Sequence, residues 1–82
     1  GYMTFTITHK SSNYFTADAN EIIGVAKNYF GHSDNSVIIL LRGGGRYEFP
    51  FPMKDSQLNK IRQNWLLART KDKFSPDVII DV

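Results

Sequence analysis

Cysteine is absent from the 82 residues, which excludes a disulfide scaffold, a thiol nucleophile and any thiolate metal site. Long apolar runs are absent too. The longest, Val37 to Leu41, falls far short of the roughly 20 residues of a membrane helix, and no basic-then-apolar signal opens the chain. The expectation is a cytoplasmic protein with no membrane partner. An excess of either charge is nearly missing: 10 Lys and Arg stand against 8 Asp and Glu, a net +2. Proline and glycine are sparse, at 3 and 6, while hydrophobic residues make up 41% and aromatics 13%. A chain of this composition carries enough apolar surface to offset its ordering entropy, so it folds. Its length suits one small domain over residues 3–82, with no room for a second core. Gly1 and Tyr2, ahead of Met3, read as a cloning remnant or a processed terminus.

Met3 to Thr8 alternates apolar and threonine side chains, the period of a half-buried strand. His9 to Asn13 reads as a polar connection. Asp18 with Glu21, or alternatively Thr16, can cap a helix whose stripe is Ala19, Ile22, Ile23, Ala26, Tyr29 and Phe30, and Gly31 can end it. Val37–Arg42 and Arg46–Phe51 read as a hairpin around Gly43, Gly44 and Gly45. A three-residue connection sets Arg42 opposite Arg46, Leu40 opposite Glu48 and Ile38 opposite Pro50. Val37, Ile39, Leu41, Tyr47, Phe49 and Phe51 then share the buried face. Pro50 and Pro52 put the second strand at an edge or end it early. A second helix, capped by Asp55 or Ser56 and reaching about Lys71, has the stripe Leu58, Ile61, Trp65 and Ala68. A short last strand spans about Asp77 to Val82.

The resulting order is βαββαβ. It predicts an α+β two-layer sandwich of ferredoxin-like type, a four-stranded antiparallel sheet with two helices on one face. The core should join Ile22, Ile23, Ala26, Phe49, Phe51, Ile61 and Trp65. The uncovered face should then show Thr4, Thr6, Thr8, Ile38, Leu40, Arg42, Arg46, Glu48 and Pro50, with Ile79 and Asp81 beside them.

Two adjacent apolar side chains rimmed by arginine and threonine resemble the centre of an interface, although single exposed apolar residues also occur without any partner. The expected function is therefore noncatalytic protein binding, regulatory or inhibitory, to another protein or to a second copy in a dimer. Ile38 and Leu40 would be the apolar contacts and Arg42 and Arg46 the charged positioning groups. Small single-domain binders of this kind occur among phage-encoded and regulatory proteins. The alternative is nucleic-acid binding. Residues 42–73 hold eight cations against three carboxylates, a net +5, and Arg42, Arg46, Lys60, Arg62, Arg69, Lys71 and Lys73 would meet phosphates.

Catalytic motifs are missing. The glycine run lacks the Lys and Ser or Thr of a phosphate-binding loop, and His9 and His32 have no HExxH spacing. GxSxG and SxxK do not occur. No catalytic residue, cofactor or metal is expected, and the chain is not read as an enzyme. In size and element order it is similar to acylphosphatases, a resemblance that implies an anion-cradling loop with a catalytic Arg after the first strand. His9-Lys10-Ser11-Ser12-Asn13 holds neither Arg nor a glycine-rich cradle, so the resemblance transfers no site residue.

Overall fold

The threonine alternation forms strand β1 (Thr4–His9), with Phe5 and Ile7 fully buried on one face. In this computed structural model, which describes residues 4–28, 35–70 and 77–82, β2 (Ser12–Asp18) follows at once. A single 3-10 turn, Ala19–Glu21, leads into β3 (Ile22–Asn28). Then come β4 (Ser36–Leu41), β5 (Arg46–Pro52), helix α1 (Asp55–Thr70) and β6 (Val78–Asp81). The strands form two three-stranded sheets, ordered β2-β1-β6 and β3-β4-β5. The first is mixed, because β6 runs parallel to β1; the second is antiparallel throughout.

The α+β character stands, but the βαββαβ order and the single four-stranded sheet with two helices do not. Of the segment expected as the first helix, residues 19–28 are the 3-10 turn plus β3, and Tyr29, Phe30 and Gly31 lie outside the described residues; of the expected polar connection His9–Asn13, Lys10 and Ser11 are the turn and Ser12 and Asn13 already belong to β2. The similarity to acylphosphatases in element order falls with it.

A β-bulge explains the error. Ile22 pairs with Leu41 and Val25 with Ile39, so one extra residue, Ile23, sits in β3 between two inward positions. Adjacent Ile22 and Ile23, with Ala26 beyond, break the strand alternation and mimic helical spacing. Asp18 does act as a cap, accepting from the Asn20 N–H at 2.9 Å, yet the turn ends after three residues. β-branched Ile22, Ile23 and Val25 around Gly24 favour a strand over further helix. Consequently Ile22 lies in the core, whereas Ile23 is 56% exposed and Ala26 lies on the outer face. Thr16, the other expected cap, is an exposed strand residue.

β1 and β2 join through Lys10 and Ser11 alone, both at positive φ, 49° and 67°. This is the backbone of a two-residue hairpin turn, here built without the usual Asn-Gly. Ser11→Gly should relieve left-handed strain and raise stability by about 0.5–1 kcal/mol, read as a higher urea midpoint at unchanged slope. An unchanged or lowered midpoint would contradict strain at this turn.

The second helix matches its expected stripe: Leu58, Ile61, Trp65 and Ala68 are buried. Its cap is Lys54 rather than Asp55 or Ser56. The Lys54 carbonyl accepts from the Gln57 and Leu58 amides, and the Gln57 Oε1 accepts from the Lys54 N–H at 2.7 Å, closing a box. Asp55 instead pairs with Lys27 at 2.5 Å, and that ammonium holds the carboxyl below the ordinary aspartate range.

One core lies between the sheets and α1, including Phe5, Ile7, Phe15, Ile39, Phe49, Ile61 and Trp65. Phe51, placed in the core from its alternation, is only half-buried and packs at the core's margin. On one side, rings bridge the sheets. Phe15 meets Tyr47 with centroids 5.5 Å apart, and Tyr14 meets Phe51 edge-on at 5.1 Å. A bulge in β2, where Ile7 pairs with Phe15 but Thr8 with Asn13, adds Tyr14 as the extra residue beside Phe15. On the other side α1 closes the gap between β3 and β6. Arg62 Nε donates to the Val25 carbonyl at 3.0 Å, and Lys60 Nζ donates to the Asp81 carbonyl at 2.6 Å.

Candidate protein interface on the second sheet

The hairpin splits its faces as its alternation predicts. Val37, Ile39 and Phe49 are fully buried, and Leu41, Tyr47 and Phe51 pack against them. The pairing, however, is displaced by two residues: Leu40 opposes Arg46 and Ile38 opposes Glu48. The Leu41 N–H donates to the Gly45 carbonyl at 2.8 Å and the Leu41 carbonyl accepts from the Gly44 N–H at 3.2 Å, so the connection is Arg42-Gly43-Gly44. Gly43 and Gly44 have φ of 89° and 93°, which only glycine adopts cheaply. A shift of two keeps every side chain on its face, because the strand period is two.

The expected single open face is divided. Thr4, Thr6, Thr8, Ile79 and Asp81 belong to the first sheet, away from Ile38 and Leu40. Their hydroxyls are engaged at home: Thr6 with Thr16 at 3.1 Å, and Thr8 donating to Asp81 Oδ1 at 2.7 Å. On the second sheet, Ile38 faces outward yet is 9% exposed, so it is a poor contact residue. It sits on the central strand between Ala26 and Glu48. The Glu48 carboxylate is fixed there, accepting from Ser36 Oγ at 3.0 Å and Asn28 Nδ2 at 3.2 Å.

Leu40 differs because its neighbour on β3 is Gly24. With no side chain there, Leu40 leans over the glycine, where an added Cβ would lie 3.4 Å from its Cδ1, and it remains 39% exposed. Ile23, the bulge residue next to Gly24, adds a second exposed apolar group at this end of the sheet. Helical spacing had assigned Ile23 to the core. The signal that could have moved it is the β-branched pair before a glycine.

Arg46 is exposed and, among the described residues, makes no ion pair. Arg42, also exposed, is already employed. Its Nε and Nη2 both donate to the Asn20 carbonyl, at 3.3 and 3.0 Å, and its amide donates to the Glu21 carbonyl. It ties the glycine turn to the 3-10 turn rather than standing free as a positioning group.

The basic residues do not gather. Lys60 and Arg62 lie roughly 200° apart around α1 and reach opposite sheets, and Arg69 lies over the Trp65 ring, 5.1 Å from its centroid. Lys71 and Lys73 lie outside the described residues, as do His32 and Tyr29. His9 is no ordinary surface histidine: it stacks on Phe51 at 4.1 Å, and its Nδ1–H donates to the Val82 carbonyl. Tyr47 is partly desolvated beside Tyr14, which raises its phenol pKa above the usual 10.0. A raised value makes its stabilising contribution whole below pH 10 and lost as pH climbs through the folded-state value.

Among the described residues no cluster of His, Asp and Glu could hold a metal ion. No described helix is long and apolar enough to cross a membrane. Comparison with protein-family models, curated proteins and solved structures matches the chain to none of them.

Proposed function

We propose that the chain is a noncatalytic protein-binding domain whose contact surface is the Ile23–Leu40–Arg46 end of the second sheet. The observation that carries this reading is the exposure of Leu40 over Gly24 and of Ile23, the bulge residue next to that glycine in the chain, with Arg46 opposite Leu40 on the other side. Apolar groups with a cationic rim supply the desolvation and the orientation that a protein interface uses. Ile38 supports the patch from beneath and Arg42 sets the turn beside it; neither is a contact in this reading.

The test is Leu40→Glu. Because Leu40 is partly exposed, the substitution should leave stability within about 0.5 kcal/mol by urea denaturation. The charge would nevertheless be desolvated in a complex, so a protein recovered with the parent chain should be lost with the variant. Affinity purification before and after nuclease treatment makes the comparison. Recovery unchanged in the folded variant would remove this face from the function. Recovery that vanishes with nuclease, and weakens steeply as salt rises, would instead point to nucleic acid bound through the basic residues.

A further inference from the structure

Among the described residues the two sheets have four strand edges, and three of them are guarded. The edge of β3 is met by Arg62 at the Val25 carbonyl, and the edge of β6 by Lys60 at the Asp81 carbonyl. β5 carries Pro50 and Pro52, which lack the donor an added strand would need. β2 has no proline and no lysine or arginine.

The direction of the β2 backbone follows from its neighbours. The Thr8 carbonyl accepts from the Val82 N–H at 2.9 Å, so Thr8 turns its backbone toward β6. Alternation then turns Phe5 and Ile7 toward β2, and their partners Ala17 and Phe15 back toward β1. Thr16, between those two, points its N–H and C=O away from the sheet. Among the described residues no group bonds to either, and Thr16 is exposed.

We propose that β2 pairs antiparallel with β2 of a second copy of this chain, about a two-fold axis at Thr16. The two Thr16 residues exchange both N–H···O bonds, and the first sheets of the two copies join into one continuous sheet of six strands. The outward N–H and C=O of Thr16 are complementary to the same two groups on a second copy, and charge selects this alignment by keeping like groups apart. The single carboxylate on β2 is Asp18, at the end of the strand, and the strand carries no lysine, arginine or histidine. Centring on Thr16 places Asp18 opposite Tyr14 of the other copy. The two aspartates then stand four residues apart, about 13 Å along the strands, beyond the Debye length of about 8 Å at physiological salt. One strand edge buries less than the roughly 1,200 Å² of a standard interface, so the dimer should dissociate on dilution through the micromolar range. This surface is separate from the Ile23–Leu40–Arg46 patch, and the two are tested independently.

Sedimentation velocity of the full chain from micromolar to millimolar concentration should show a monomer–dimer equilibrium. Thr16→Lys, which opposes two ammonium groups across the axis, should leave only monomer. Thr16→Pro, which deletes an N–H that β1 does not use, should do the same. Leu40→Glu should dimerise like the parent. Exchange of the Thr16 amide in the unaltered chain needs no variant: it should slow as concentration rises, while the Phe15 and Ala17 amides stay protected throughout. A monomer at every concentration, or a Thr16 amide indifferent to concentration, overturns the proposal. So does a dimer that persists in folded Thr16→Lys. A complex with another protein that Thr16→Lys abolishes, while the parent alone stays monomeric, overturns self-pairing in favour of an extended segment of that protein.

Discussion

Phe49→Ala is expected to destabilise the protein by about 3–5 kcal/mol, a large part of the roughly 5–15 kcal/mol that holds a small domain folded. Phe49 is fully buried on β5, with its ring 5.0 Å from Tyr47 and 5.8 Å from Phe51, inside the aromatic row that bridges the two sheets. Truncation would leave a cavity beside residues from both sheets, with only partial collapse to fill it. The neighbouring Phe51 is half-buried and stacks on His9, so the same change there should cost less. Urea denaturation followed by far-ultraviolet circular dichroism measures both. A loss under about 1 kcal/mol at Phe49 would contradict its place between the sheets.

Trp65→Ala should cost a similar amount, about 3–5 kcal/mol, for a partly different reason. The Trp65 ring is 9% exposed, and its Nε1–H donates at 3.3 Å to the carbonyl of Ala19, itself 1% exposed. This bond fastens α1 to the 3-10 turn that separates the two sheets. Trp65→Phe keeps most of the apolar contact but removes the donor; the Ala19 carbonyl still accepts from the Ile22 N–H, so the cost should be about 0.5–1.5 kcal/mol. The pair of variants therefore separates packing from hydrogen bonding. If Trp65→Phe matches the parent, the bond adds nothing; if it matches Trp65→Ala, the bond outweighs the ring.

The legible parts of the sequence share one property: their pattern has a regular period. Leu58, Ile61, Trp65 and Ala68 repeat at helical spacing, and α1 buries those four. Phe5 and Ile7 alternate with threonine, and β1 buries both. The Gly43–Gly45 run announces the hairpin, and Glu48 between Tyr47 and Phe49 chooses the buried face for the otherwise apolar β4. Pro50 and Pro52 place β5 at an edge, where it lies. Each of these follows from the chain acting on its near neighbours.

Ile23 and Tyr14 show where that legibility ends. Each is the extra residue of a bulge, and each breaks the period by which a strand is recognised. In β3 the break produced a false helix, and with it a false count of sheets and helices. The different exposure of Ile38 and Leu40 escaped the pattern for a related reason. Ile38 and Leu40 face the same way, two residues apart on one strand, and nothing in the alternation distinguishes them. Ile38 lies beside Glu48, which Ser36 and Asn28 hold in place, whereas Leu40 lies beside Gly24. Periodicity assigns a side chain to a face through local backbone geometry, so the sequence by itself determined α1, β1 and the facing of the β4–β5 hairpin. Exposure depends on what distant segments place alongside, so only the tertiary structure decided the two-sheet division, the employment of Arg42, Lys60 and Arg62, and the exposure of Ile23 and Leu40 around Gly24.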